Sequence, residues 1–379
     1  MDKIYAMPGN AIETEAIKYT GSKLKLLPHI LSLSKKVPVS AENPSVFDGF
    51  SGSTRVSQAY AKNGYRVYAN DIAVYSKFFN TAFLLNKKEP EIYQPLIDHL
   101  NSLAPVDGWF TEHYGGNENS NTAKFPWQKK NTRRLDAVRE EIDRLNLDEV
   151  TKAVAITSLI LALDQVDSTL GHYVSYLNEW SPRSYKDLKL TVPKLRGNQQ
   201  DNVVMNHDIF EALKSLPDNI DIAYFDPPYG SNNEKMPPSR VRYASYYHIW
   251  TTICLNDRPE VFGKARRRAD TSDIAAASVF EEFRRGPSGR FMVIEAIEKL
   301  IREIRARYII LSYSSGGRAT AEELNEVLNT YGEIIEIEKI DYKKNVMAGM
   351  KWTNDWIKDA DEKNFELLFL VKKRQEKYQ

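Results

Sequence analysis

A single cysteine, Cys254, among 379 residues leaves no internal disulfide and no cysteine-ligated zinc site, and zinc-deaminase chemistry is excluded with them. An excess of one charge sign is missing too. Lys plus Arg number 52 against 51 Asp plus Glu, a formal charge of +1, so no global basic field announces a nucleic-acid partner and any such contact must come from local patches. No apolar run reaches the roughly 18 residues a membrane-spanning helix needs, and the first 17 residues mix charged and small side chains instead of forming a signal-peptide core. A soluble, cytoplasmic chain is expected. Repeats and low-complexity tracts are absent, which sets aside solenoid and fibrous architectures. His172, His207 and His248 show no i, i+4 pairing with another ligand type, so no metal is assigned. A complete G-x-G-x-x-G is also missing, which disfavours a dinucleotide.

What is present describes a folded α/β protein. Hydrophobic residues make up 42% and charged residues 27%, and the length allows two or three domains, or one large α/β domain with insertions. Short apolar runs predict strands at 45–48, 66–70, 221–225, 307–313, 334–340 and 365–371, with helical periodicity at 54–62, 291–306 and 319–330. The first two strands and the helix between them make a βαβ unit, and the alternation predicts a Rossmann-like, doubly wound, mostly parallel sheet. Between 86 and 200 the pattern turns to helices and polar loops, read as an inserted, mainly helical domain between two parts of the main domain, 1–85 and 201–379. A further irregular stretch, 230–290, holds the aromatics Tyr243, Tyr246, Tyr247 and Trp250 and the basic run Lys264, Arg266, Arg267 and Arg268, and reads as a long functional loop.

The sharpest chemical signal is Asp226-Pro227-Pro228-Tyr229, directly after an apolar strand. Groups just beyond a strand's C-terminal end line the ligand crevice of an open α/β sheet. Two consecutive prolines fix the backbone and remove two N–H donors, leaving a rigid acceptor platform. A carboxylate and the Pro227 carbonyl suit the two hydrogens of an exocyclic amine, while Tyr229 stacks on the ring that bears it. A second signal is the strand-to-helix turn Phe47-Asp48-Gly49-Phe50-Ser51-Gly52-Ser53-Thr54, with Asn70-Asp71 at the end of the next strand, where Asp71 can take both ribose hydroxyls of an adenosyl group. The third is Tyr19-Thr20-Gly21-Ser22-Lys23. A helix beginning near Ser22 would turn its free N–H groups, and Lys23, toward a carboxylate such as the methionyl end of a cofactor.

Taken in chain order, Tyr19 to Lys23, then Phe50-Ser51-Gly52, then Asn70-Asp71, then Asp226 to Tyr229, the blocks resemble the DNA adenine-N6 methyltransferases of the Dam type, and the resemblance spans most of the chain although only short blocks match strongly. The family is of the class I methyltransferase fold, uses S-adenosylmethionine, and carries its target-recognition region between the ribose-binding acid and the Asp-Pro-Pro-Tyr motif, which is where the 86–200 segment falls. By position, the resemblance implies that Tyr19, Lys23, Phe50, Gly52, Asp71, Asp208, Ile209 and Asp226 contact the cofactor, and that Asp226, Pro227, Pro228 and Tyr229 hold and activate an extruded adenine. The chain departs from the family at Gly49, where Pro is common, and at Thr54, where a second Gly would be found. The resemblance further implies a modification enzyme of a restriction-modification system, with duplex DNA as substrate and a cognate endonuclease as a possible genetic partner.

A base inside a duplex cannot reach such a site and has to be extruded, so the protein must grip the flanking DNA. Lys129, Lys130, Arg133 and Arg134 lie in a basic cluster with Lys124, Phe125 and Trp127, and Arg266, Arg267 and Arg268 form a denser one; both are assigned to phosphate contact. The same acceptor platform also fits cytosine N4 or an RNA adenine, and a catalytically silent DNA-binding regulator is the alternative from outside the enzymes.

Overall fold

The apolar runs become strands β1 (Ser45–Asp48), β2 (Arg66–Asn70), β3 (Val203–Met205), β4 (Ile220–Phe225), β5 (Ala306–Ser314), β6 (Gly332–Asp341) and β7 (Phe365–Lys373). The structure is a computed structural model that describes residues 13–40, 42–117, 119, 124–229, 243–272, 278–282, 284–341 and 365–374. Of the loop expected at 230–290, residues 230–242, 273–277 and 283 therefore lie outside the described residues. The seven strands form one sheet in the order β6-β7-β5-β4-β1-β2-β3. Every pairing is parallel except the two made by β7, which runs antiparallel between β5 and β6.

In chain order the helices are α1 (Leu27–Ser34), α2 (Arg55–Lys62), α3 (Val74–Asn80), α4 (Gln94–Ser102), α5 (Trp109–Tyr114), α6 (Lys129–Arg144), α7 (Glu149–Gln165), α8 (Ile209–Lys214), α9 (Tyr243–Tyr246), α10 (His248–Leu255), α11 (Met292–Glu303) and α12 (Ala321–Tyr331). Alternate strand residues face opposite layers, so strands covered on both sides read as continuous apolar runs. Val46, Ile222, Ile310 and Leu368 pack with Ile30 of α1 and Tyr60 of α2. Phe47, Phe225, Ile309 and Phe369 pack on the other face with Leu213 of α8, Ile297 of α11 and Leu328 of α12.

Three departures from the sequence expectation have local causes. The helix expected near Ser22 starts there as a 3-10 segment, Lys23–Leu26, and becomes α-helical only at Leu27, because Pro28, lacking an N–H, fits only the first turn of an α-helix. Strand β3 is a three-residue edge strand, too short to announce itself by periodicity. Helix α11 stops at Glu303, short of the expected 306, where the chain turns into β5.

The helical region between β2 and β3 has a core that extends past its own sequence limits. Trp127, Leu159 and Leu163 share one cluster with Ile17, with Tyr75 and Phe79 of α3, and with Tyr247, Trp250 and Cys254. Strand order reverses at β1, which has β2 on one side and β4 on the other. The chain leaves β1 and β4 in diverging directions, and the crevice between their C-terminal ends is where such sheets bind ligands.

Candidate active site

A cavity of about 980 Å³ opens in that crevice. It lies at the upper end of the roughly 300–1,000 Å³ range of small-molecule sites, so there is room for more than one ring system. Its walls bring together the three sequence blocks: Tyr19 and Lys23, then Phe50, Gly52 and Asp71, then Asp226 to Tyr229, with Asp208 and Ile209 beside Asp71.

The turn after β1 is built by tight backbone bonds. Gly49 N donates to Tyr224 O at 3.1 Å, Ser51 N to Asn70 O at 3.0 Å, and Gly52 N to Asp71 Oδ2 at 2.7 Å. A Cβ on Gly49 would sit 2.8 Å from the Phe225 ring, which explains glycine at the first departure from the family pattern. The second departure, Thr54, adopts φ +68°, a left-handed conformation natural to glycine. Thr54 N donates to Ser51 O at 2.6 Å and its Oγ1 accepts from Gln58 Nε2 at 2.9 Å, which holds the strained residue in place. The backbone therefore keeps a glycine-like path with a threonine in it.

Asp71 is fixed at the end of β2, its Oδ1 accepting from Ala73 N at 2.8 Å, and burial pushes its carboxyl up to about 6. Asn70 exchanges hydrogen bonds with His207, and Asn206 Nδ2 donates to Asp71 O at 2.7 Å. These bonds tie the segment that leads into Asp208, the N-cap of α8, to the end of β2. Asp48, at the end of β1, is fully buried. Ser57 Oγ donates to its Oδ2 at 2.6 Å, while Oδ1 has no hydrogen-bond partner among the described residues, and burial pushes the carboxyl up to about 7.

Tyr19 is wedged in an aromatic stack, 4.5 Å from the Tyr247 ring and 5.5 Å from Tyr243. Thr20 ties the same segment to these tyrosines: its N donates to Tyr247 Oη at 2.7 Å and its O accepts from Tyr243 Oη at 3.3 Å. Lys23 follows, 6% exposed. Its Nζ stands 3.0 Å from Asp226 Oδ1, 2.9 Å from Glu366 Oε1 and 3.3 Å from Tyr229 Oη. The sequence places Lys23 at a helix terminus facing a cofactor carboxylate; in the fold it is the first residue of the 3-10 segment, lines the cavity and pairs with Asp226. Burial drives the Asp226 carboxyl up, the Lys23 ammonium opposes this and Glu366 adds to it, for a value of about 7. Lys23 itself is desolvated, yet its two carboxylates hold it well above the usual lysine range. Tyr229 leans on Tyr313 at 5.1 Å.

Glu366 and Ser312 escaped the sequence reading of the site, while Tyr243, read there as part of the functional loop, lines the cavity. A signal for Glu366 was present, namely one carboxylate in the otherwise apolar run Phe365-Glu366-Leu367-Leu368-Phe369-Leu370.

The basic residues divide by their partners. Lys129 and Arg133 flank Asp107 on the surface of α6, and Lys130 reaches Tyr185 O and Asp187. Arg134 is used inside the fold, where Nε donates to Leu188 O and Nη2 to Asn101 O. A short ribbon pairs Val261–Phe262 with Arg267–Arg268. On it Arg266 lies over the Phe125 ring at 4.4 Å and Arg267 over Phe262 at 4.7 Å. Arg268 does not fit the phosphate-contact expectation. Its side chain is 5% exposed and forks onto Asp257 at 2.7 Å and Asp270 at 2.8 Å, so its donors are spent inside the protein. Among the described residues no group of three or more His, Cys, Asp or Glu is placed to hold a metal ion, and no helix is long and apolar enough to cross a membrane.

A mostly parallel seven-stranded sheet with these carboxylates gathered at its crevice is consistent with an α/β methyltransferase fold. The chain belongs to the D12 class N6 adenine-specific DNA methyltransferase family, whose sequence profile matches residues 19–279. It is similar to the modification methylase StsI of Streptococcus sanguinis, 26% identical over 374 residues that cover 94% of this chain and 52% of that protein. Modification methylase LlaI of Lactococcus lactis subsp. lactis is 25% identical over 378 residues, 95% of this chain and 56% of that protein. Type II methyltransferase M.NlaIII of Neisseria lactamica is 26% identical over 333 residues, 86% of this chain and 92% of that protein. The chain thus spans about half the length of the first two and most of the third.

Proposed function

We propose that this chain is a site-specific DNA (adenine-N6)-methyltransferase that uses S-adenosylmethionine and serves as the modification enzyme of a restriction-modification system, with a cognate endonuclease encoded nearby. The observation that carries the reading is the meeting of Asp71 and the Asp226-Pro227-Pro228-Tyr229 platform in one cavity. Family membership supports adenine N6 over cytosine N4, and the names of the related modification methylases and type II methyltransferases support the biological setting.

The cavity fits the cofactor by the chemistry of its donors and acceptors. Asp71, Asp208, Ile209, Tyr19, Phe50 and Gly52 all line the cavity, with Asp71 assigned to two ribose hydroxyls, Asp208 and Ile209 to the adenine, and Tyr19, Phe50 and Gly52 to the wall. The unsatisfied Oδ1 of Asp48 supplies one more acceptor for a cationic or N–H group. When bound, S-adenosylmethionine would supply the methyl, its C–S bond breaking to leave a neutral thioether as the target nitrogen bonds the methyl in line, and the amine's surplus proton would leave through Asp226. The chain's own residues prepare that nitrogen. Asp226 and the Pro227 carbonyl accept its two hydrogens, which draws the lone pair out of conjugation with the ring, and Tyr229 stacks on the base and offsets part of the few kcal/mol that extrusion costs.

The segment 86–200 is proposed as the target-recognition region and the 230–290 loop as a second DNA contact. Lys129, Lys130, Arg133, Arg266 and Arg267 are the residues assigned to phosphates. Tritiated methyl transfer to unmethylated genomic DNA and to structured RNA, followed by nucleoside chromatography, tests the reading. Label in N6-methyladenine of DNA is expected. Label only in N4-methylcytosine or only in RNA overturns it, and failure to transfer any label points to a silent DNA-binding protein.

A further inference from the structure

Lys23 Nζ is shared by two carboxylates, and only one of them belongs to the platform. The other, Glu366, stands on β7, 343 residues away in sequence. It is 4% exposed and lies outside the cavity lining, whereas Lys23, Asp226 and Tyr229 are part of that lining. Glu366 therefore has no route to a ligand except through Lys23. Its Oε1 accepts from Lys23 Nζ at 2.9 Å and from Ser312 Oγ on β5 at 2.7 Å. Lys23 Nζ directs hydrogen bonds at Glu366 and Tyr229, but meets Asp226 Oδ1 as an ion contact at 3.0 Å. Burying a carboxylate is costly unless it is paired, and Leu367 to Val371 show that this strand otherwise satisfies the core with apolar side chains. Packing alone gives no reason for an acid at 366.

We infer that Glu366 is a positioning residue for methyl transfer: it divides the charge of the Lys23 ammonium with Asp226, so that Asp226 keeps its acceptor strength for the hydrogen of the target amine. The inference rests on the methyltransferase reading of the cavity. Without the second carboxylate, one buried ammonium would face one buried carboxylate, and the full ion pair would hold the lone pairs that the amine needs. The charged groups that act on Asp226 are Lys23 and Glu366, Asp226 in turn acts on Tyr224, Tyr229, Tyr243 and Asp48, and Glu366→Gln changes the charge of Glu366 alone. The sign of the change is therefore set by Glu366 alone. Removing its charge strengthens the hold of Lys23 on Asp226, which weakens the acceptor and lowers the pH at which Asp226 ionises.

The test is Glu366→Gln in the full chain, which preserves size and the oxygen that accepts from Lys23 while deleting the charge. With S-adenosylmethionine and duplex DNA, kcat is expected to fall by at least roughly tenfold, with the cofactor Kd from calorimetry held within about threefold. The acid limb of the pH profile is expected to move to lower pH. A merely structural role would leave that limb where it is. Unchanged kcat and pH profile overturn the inference, as does a fall in kcat matched by an equal loss of cofactor affinity, which would make the Lys23–Glu366 pair a cofactor clamp. Should Glu366→Gln fail to fold by circular dichroism, Ser312→Ala removes the second hydrogen bond to Glu366 and leaves its charge in place. With its charge less dispersed, Glu366 then draws Lys23 further from Asp226, so a small shift of the acid limb the opposite way, to higher pH, supports the inference and an unmoved limb overturns it. Wild-type protein that makes no N6-methyladenine defeats the methyltransferase reading and this inference together, whereas active wild type with an unaltered Glu366→Gln defeats the inference alone.

Discussion

The Asp71 carboxylate closes onto the Gly52 amide at 2.7 Å, joining the exit of β1 to the exit of β2. One oxygen thus orders the turn that walls the cavity, while the other caps Ala73 N at 2.8 Å, and the group remains in the lining. Asp71→Ala should therefore act twice. It removes the ribose acceptor and leaves two amides without their partner, so the cofactor Kd is expected to rise at least roughly tenfold and stability to drop by about 1–2 kcal/mol. Calorimetry and denaturant titration check both. Cofactor affinity equal to that of the wild type would contradict the ribose assignment.

Asp226 should carry catalysis rather than cofactor affinity. Asp226→Ala is expected to lower turnover by at least roughly a hundredfold, the scale of losing one preorganised polar group, while the cofactor Kd changes by no more than about threefold. The pH dependence has a definite sign. Burial raises the Asp226 carboxyl to about 7, and only the ionised form accepts both an amine hydrogen and the charge of Lys23. The kcat/KM for DNA should rise as pH increases through about 7 and then level off. A flat profile between pH 6 and 8 would contradict it.

Buried acids at this site should make the ligand-free protein less stable as pH rises. The folded Asp48 carboxyl, at about 7, lies above its unfolded value, so the native state holds the proton more tightly than the unfolded chain does. Its contribution is favourable at low pH and is lost as pH climbs from about 4 through 7. Asp48→Asn, which can still accept from Ser57, should therefore gain on the wild type between pH 5 and pH 8, by about 1 kcal/mol or more at the upper end. Chemical denaturation at the two pH values measures the difference. A gap that narrows with pH would show the carboxylate to be stabilised by a group other than Ser57.

Arg266 and Arg268, two positions apart, should behave differently. Arg268 is buried between Asp257 and Asp270, and Arg268→Ala is expected to cost about 2–3 kcal/mol of stability, short of a fully buried pair because both acids reach solvent. The salt dependence of DNA binding by the folded variant should match the wild type. Arg266→Ala should leave stability within about 0.5 kcal/mol and reduce the slope of log K against log salt by about 1. Fluorescence anisotropy over a salt series distinguishes them, and identical slopes for Arg266→Ala and wild type would remove Arg266 from the DNA-facing set.

Much of the scaffold was legible in the sequence because a strand buried on both faces must be apolar along its length. That constraint wrote β1, β2, β4, β5 and β7 directly into the residues, whereas three-residue β3 at the sheet edge carried too little pattern. The Asp-Pro-Pro-Tyr block and Asp71 were legible because each directly follows a readable strand. Lys23 was found, and it lines the cavity, but its partners Asp226 and Glu366 were not legible, since they lie 203 and 343 residues away and only the folded sheet brings them near. The basic run at 266–268 shows the same limit. Sequence records three arginines in a row, but only the pairing of Val261 with Arg268 and the nearby Asp257 determine which one turns inward.

The most direct test of the account is the structure of a ternary complex with a non-reactive S-adenosylmethionine analogue and a duplex carrying the modified sequence. The account predicts an adenine outside the helix, stacked on Tyr229, with N6 within about 3.2 Å of both an Asp226 carboxylate oxygen and the Pro227 carbonyl. An adenine that stays stacked in the duplex, or an N6 bound by other groups while Asp226 faces only Lys23, would contradict it.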